Sequence, residues 1–269
     1  KNIKYKVEKS IFNFKKKKAK LLTIPTTAGS GAEVTPFAVL YIGNQKYSVE
    51  HSLVKPDYHF LIPELVLRGS KFLKASSGFD AISQALESMF SVKSNNESLK
   101  FSSKSLKLSI NNYESFIKKP NTSNTLNMCY AANLAGRAIS TAKTNGPHAV
   151  SYPFSSFYKI SHGHAVSLTL NQFLSLYYFQ SNKSIASFDI KKRFEQIYKI
   201  LKIKNFHELN EMLKKLKIAG SLEGDYNKLN IDIKNNYNKI LNSVNSQRLK
   251  NCPIKIKTDD IKSILNMKI

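Results

Sequence analysis

Three of the chain's six histidines, His148, His162 and His164, fall in one stretch, NGPHAVSYPFSSFYKISHGHAVSL, from Asn145 to Leu168. The stretch carries few charges for so basic a chain, and it reads as buried. A buried imidazole needs a partner for its ring nitrogens, either a backbone carbonyl, as in an ordinary core histidine, or a metal ion. One histidine alone favours the first. Three in one segment, with Gly163 able to let a ligand approach the backbone, favour a site. A second stretch, SGFDAISQALES, supplies oxygen donors: Asp80 and Gln84 stand four residues apart and share one helix face. A carboxylate, an amide oxygen and two imidazoles, from Asp80, Gln84, His148 and His162, suit a divalent first-row metal.

The elements that must position these groups change character along the chain. LLTIP at Leu21–Pro25 and FAVLYI at Phe37–Ile42 read as short strands bounded by turn residues, and PDYHFLIP at Pro56–Pro63 contains another. Gly43-Asn44 predicts a hairpin whose second strand begins at Lys46. Between the first two strands, TTAGSGAEVT leaves backbone N–H groups able to meet a phosphate or a cofactor ring, or is an ordinary Gly/Ser turn. From Lys71 onward apolar residues recur at spacings of three and four. Phe79, Ile82, Leu86 and Met89 predict an amphipathic helix, with Ser76 and Ser77 as candidate caps. Further helices are expected at 98–117, 126–141, 166–179, 190–201, 206–216 and 260–267. Pro147 opens the histidine segment, and residues 227–238 read as loop or helix edge.

The totals bound the function. The chain has 269 residues, 42% of them hydrophobic, a globular composition with room for two domains. The formal charge of +24 could attract nucleic acid or a membrane surface. The lysines are spread along the whole chain, however, and the Lys15–Lys18 run reads as a solvated turn, so neither a nucleic-acid nor a membrane partner is expected. Cys129 and Cys252 lack metal or redox spacing and read as free thiols. No apolar run is long enough to span a bilayer and no signal peptide opens the chain, so the expectation is a soluble cytoplasmic protein.

IPTTAGSGAEVT, SGFDAISQALES and HAVSYPFSSFYKISHGHAV, in this order, resemble the motifs of the iron-containing (group III) alcohol dehydrogenases, and SQRLKNCPIKIKTDDIKSIL resembles the family's closing segment. The resemblance implies a dehydroquinate synthase-like fold. Residues 1–70 would be the remainder of an α/β dinucleotide-binding domain, and residues 71–269 an α-helical metal and substrate domain. It implies a divalent metal, Fe2+ before Zn2+, on Asp80, Gln84, His148 and His162, with Gln84 where the family commonly has His. It implies NAD(P)H, met by Thr26, Thr27, Ser30, Thr35 and Lys46. Tyr152 stands where a further family histidine handles protons, and either Tyr152 or His164 is the candidate acid.

The block AKTNGPHAVSYPFSSFYKISHGH is most similar to the branch that reduces phosphonoacetaldehyde. A phosphonate aldehyde is therefore the expected small-molecule partner, with Lys143 and Arg137 as candidate cations. Lys143 reads equally well as a helix-terminal lysine complementing the dipole. A general alcohol dehydrogenase and a non-catalytic metal-binding remnant remain the rivals, because the family's opening GGGS-like phosphate loop has no counterpart here. A homodimer is left open.

Overall fold

The structure, a computed structural model, describes Tyr5, residues 16–42 and residues 45–267. Two short sheets open it. Strand β1 (Leu22–Thr23) pairs in parallel with β4 (Tyr58–His59), Leu22 opposite Tyr58. Strand β2 (Phe37–Ile42) pairs antiparallel with β3 (Gln45–Glu50), from Phe37 opposite Glu50 to Ile42 opposite Gln45. The hairpin is the expected one. Its Gly43-Asn44 turn and the side chain of Lys46 lie outside the described residues. The strand expected at 21–25 shrinks to two residues, and the short strand expected within 56–63 is Tyr58–His59, with Pro25, Pro56 and Pro63, which have no N–H to give a ladder, in the flanks.

Eleven helices follow among the described residues: α1 (Pro63–Leu67), α2 (Lys71–Phe90), α3 (Asn96–Lys118), α4 (Thr122–Ala142), α5 (Gly146–Tyr158), α6 (His162–Phe179), α7 (Ile190–Leu201), α8 (Phe206–Ala219), α9 (Ile233–Asn242), α10 (Ser246–Leu249) and α11 (Thr258–Asn266). Helix α2 is the hub, in contact with α3, α4, α5, α6, α7. Its expected apolar stripe, Phe79, Ile82, Leu86 and Met89, is fully buried. Yet the polar side is buried too: Asp80, Ser83, Gln84, Glu87 and Ser88 are each at most 4% exposed. A helix buried all round must satisfy such groups internally, and that requirement makes the site.

One expectation about helix ends changes. Ser70, not Ser76 or Ser77, caps α2, its hydroxyl accepting the Leu73 N–H at 3.1 Å. Ser76 instead faces the start of another helix, accepting the His164 N–H at 3.1 Å. The stretch read as loop or helix edge, 227–238, holds the start of α9, in keeping with that reading. Asp232 caps it by accepting the Asn235 N–H at 3.0 Å, and Ile233, Tyr237, Ile240 and Leu241 form its apolar stripe. No helix among the described residues is long and apolar enough to cross a membrane.

Candidate metal centre

Helix α2 brings Asp80 and Gln84 to one face by their four-residue spacing. Helix α5 begins at Gly146 with Pro147 in its first turn and carries His148; α6 begins at His162 itself. One ligand atom each from Asp80, His148 and His162 lies within 4.8 Å of the others. Asp80 Oδ1 is 3.2 Å from His148 Nε2, and the two imidazoles meet edge to face at 5.1 Å between centroids. Gln84 donates from Nε2 to Asp80 Oδ2 at 3.1 Å, while its buried carbonyl oxygen Oε1 meets no hydrogen-bond donor. A buried amide oxygen without a donor is costly unless something else supplies positive charge. With two imidazoles and a carboxylate alongside, the donor set fits a divalent cation.

Close approach of α6 to α2 requires Gly163. A Cβ there would lie 1.9 Å from the Ser76 carbonyl oxygen and 3.0 Å from Asp80 Cβ. The role expected for Gly163, room for a ligand, is thus filled by the backbone of α2. The same turn of α2 receives the loop between β1 and β2. A Cβ on Gly29 would lie 2.7 Å from the Ser77 carbonyl oxygen, and one on Gly31, at φ +60°, only 2.5 Å from that of Ala132 on α4. Glu33 accepts from Asn133 at 2.9 Å, and the Val34 carbonyl from Ser140 at 3.1 Å, which fasten the loop to α4. Thr26 and Ser30 stay exposed, Thr27 is half-buried, and Thr35 is buried with its hydroxyl on the Ala32 carbonyl at 3.3 Å. The loop therefore borders the turn of α2 that leads into the cluster.

The group missed from sequence is Glu87. It is 2% exposed and accepts the Asn145 and His148 N–H groups at 3.0 and 3.2 Å, at the start of α5. Its other oxygen takes His148 Nδ1 in a close hydrogen bond. The signal was available: Asp80, Gln84 and Glu87 continue the i, i+4, i+7 stripe of one face. Glu87 holds a proton of His148 on Nδ1, so Nε2, turned toward Asp80, is the nitrogen that would give up its proton to a cation. Burial opposes charge on His148, but the Glu87 charge and hydrogen bonds to Asp80 and Glu87 raise its pKa. Burial likewise opposes ionisation of Asp80, and the His148 hydrogen bond with the His162 charge outweighs it, holding the carboxyl below its usual range.

Other expected residues lie around or away from the cluster. His164 is buried, its Nε2 2.7 Å from the Glu223 carbonyl oxygen, its ring edge-on to Phe72 at 5.7 Å. Burial lowers its pKa, so it stays neutral, with its proton on Nε2. Tyr152, one turn beyond His148, accepts from Arg248 Nε at 3.1 Å. Lys143 ends α4 at φ +66°. Its Nζ pairs with Glu50, reaches the Ser140 carbonyl at 3.2 Å and lies 4.4 Å from the Phe37 ring centroid. Arg137 is exposed, bonded to Asn133 at 2.9 Å and set over Phe101. Cys129 and Cys252 are buried free thiols, as expected.

This arrangement of a β-stranded opening and a helical body around a cluster of Asp and His defines a known fold class. The solved structure of sulfoacetaldehyde reductase from Bifidobacterium kashiwanohense in complex with NAD+ superposes with a TM-score of 0.83 at 25% identity, covering 93% of this chain and 64% of that one. Residues 74–269 match the C-terminal model of the Fe-containing alcohol dehydrogenase family, and residues 2–63 match the iron-containing alcohol dehydrogenase model. The chain belongs to the iron-containing alcohol dehydrogenase family. Phosphonoacetaldehyde reductase of Streptomyces viridochromogenes is 34% identical over 158 residues, 58% of this chain and 40% of that one. 4-Hydroxybutyrate dehydrogenase of Clostridium kluyveri is 28% identical over 205 residues, 74% of this chain and 55% of that one. The chain thus spans less than two thirds of the length of each of these proteins.

Proposed function

We propose that the chain is the metal- and substrate-binding part of an NAD(P)H-dependent reductase of a short aldehyde with an anionic tail, phosphonoacetaldehyde first. The observation that carries this reading is the convergence of Asp80, His148 and His162 beside the donorless Gln84 Oε1. Asp80, Gln84, His148 and His162 would hold the cation, Fe2+ before Zn2+. When bound, the metal supplies Lewis-acid polarisation of an aldehyde oxygen, and the nicotinamide supplies hydride. Thr26, Thr27, Ser30 and Thr35 lie on the loop bordering the cluster and would meet the nicotinamide side, with Lys46 a further candidate by resemblance. Glu87 holds His148 in the tautomer that presents Nε2.

Of the two candidate acids, Tyr152 is favoured. Its oxygen lies one turn beyond His148 on α5 and is oriented by the Arg248 hydrogen bond, whereas His164 directs its Nε2 at the Glu223 carbonyl. The anionic tail is supported by the names of three similar proteins, whose substrates end in phosphonate, sulfonate and carboxylate. Phosphonate stands first because that relative is the most similar of the three. The test is anaerobic reconstitution of the full-length protein with Fe2+, followed by NAD(P)H oxidation with phosphonoacetaldehyde and with propanal. The expected preference in kcat/KM is on the order of a hundredfold or more. A protein that binds metal yet reduces neither aldehyde would refute the assignment.

A further inference from the structure

We propose that Arg248 is the specificity-determining residue that grips the anionic tail of the substrate. This rests on the reading of a short aldehyde with an anionic tail. Such a tail, brought into a partly dry cleft, needs a fixed cation. The cations expected from sequence are engaged elsewhere: Lys143 is neutralised by Glu50, and Arg137 lies exposed over Phe101. Arg248 differs in position and in pairing. It is half-buried, its Nε donates to Tyr152 Oη at 3.1 Å, and its Nη1 donates to Thr144 Oγ1. Thr144 lies four residues before His148 and Tyr152 four residues after it, so the guanidinium bridges the two flanks of the histidine that anchors the cluster. Its two partners are neutral hydroxyls. Among the described residues no carboxylate lies within 4.0 Å of it, so its charge is oriented but unmatched.

The placement of Arg248 follows from a proline. Pro153 stands inside α5 and has no N–H to give the Ala149 carbonyl one turn back. The Asn245 N–H takes that carbonyl at 3.2 Å. Asn245 is also the cap of α10, accepting the Arg248 N–H at 3.0 Å. Asn251 closes the other side, donating to the Thr144 carbonyl at 2.9 Å. A break in one helix thereby docks the segment that delivers the guanidinium. From His148 to Tyr152 is one helical turn, about 5 Å, so a substrate with its aldehyde oxygen between the cluster and Tyr152 would extend its phosphonate toward the guanidinium on the far side of Tyr152. The planar fork of Arg matches two oxygens of one phosphonate in a way a lysine cannot.

The test uses the metal-loaded full-length protein, its Arg248→Gln and Arg248→Lys variants, and methylphosphonate, which carries the anion without an aldehyde. By calorimetry, Arg248→Gln should weaken methylphosphonate binding by roughly thirtyfold or more. The KM for phosphonoacetaldehyde should rise correspondingly, and its kcat/KM should fall roughly tenfold or more beyond that for propanal, which loses only what the Arg248 hydrogen bond gives Tyr152. Arg248→Lys should fall between. Equal losses on both aldehydes, or methylphosphonate binding that is absent in the wild type or indifferent to Arg248→Gln, would overturn the inference. Methylphosphonate binding through Arg248 without reduction of any aldehyde would uphold it and sink the reductase reading instead. Should Arg248→Gln fail to fold, a crystal structure of the wild type with methylphosphonate decides: the anion on the guanidinium supports the inference, and the anion elsewhere refutes it.

Discussion

Glu87→Gln isolates what the carboxylate does for His148. The side chain is all but fully buried and makes three hydrogen bonds, two to backbone N–H groups at the start of α5 and one to His148 Nδ1. Glutamine keeps the shape, and its Oε1 can still accept from Asn145 and His148 N–H groups. Its Nε2 then faces Nδ1 with a proton of its own. The contact survives only if the imidazole shifts its proton to Nε2, the nitrogen that points at Asp80 and into the cluster. A metal must displace that proton or do without the histidine. Loss of such an orienting partner typically costs ten- to a hundredfold in metal affinity, about 1.4–2.8 kcal/mol. A competitive Zn2+ titration against a chromophoric chelator reads this directly. Glu87→Asp, which keeps the charge but is one carbon shorter, should lose less. Wild-type affinity in a folded Glu87→Gln protein would refute the tautomer argument.

Two further outcomes test the packing around the site. Gly163→Ala places a methyl 1.9 Å from the Ser76 carbonyl oxygen, so α6 must move off α2; denaturant unfolding should show a loss of about 1–3 kcal/mol, with metal affinity falling alongside. Lys217 is buried, with its Nζ 3.4 Å from the Ser167 carbonyl, and burial pushes its pKa down from 10.5 to about 8. Between those values the unfolded chain binds the extra proton, so the wild type gains stability as pH rises from 8 to 10.5. Lys217→Met should therefore stabilise the protein near neutral pH, by on the order of 3 kcal/mol. The gain in Tm should fade toward pH 10.5, and a gain independent of pH would refute the cause.

The parts legible in sequence were those set by local geometry. The histidine helix α5 did not announce itself, but the β2–β3 hairpin did through its apolar run and Gly43-Asn44 turn, and helices α2, α3, α4, α6, α7, α8 and α11 did through apolar spacings of three and four. Asp80 and Gln84 were legible as a pair for the same reason, and motif resemblance joined them to His148 and His162. Glu87 lay on the same stripe, but its purpose depends on a partner 61 residues away, and no periodicity encodes that distance. Ser76 looked like a cap for its own helix and serves the start of α6, 88 residues on, because α2 is buried on every side and its polar groups must find partners across interfaces. Gly163 looked like room for a ligand and proved to be room for a helix. Lys143 and Arg248 make the same point for charge. Their order along the chain favoured the lysine five residues before His148, yet the end of α4 turns its ammonium toward Glu50, while the break at Pro153 brings an arginine from 100 residues beyond His148 onto the flank of that histidine's helix. Where each cation ends up depends on how helices dock, and docking is settled by burial and by hydrogen bonds left over from each helix, quantities that exist only once the chain has folded.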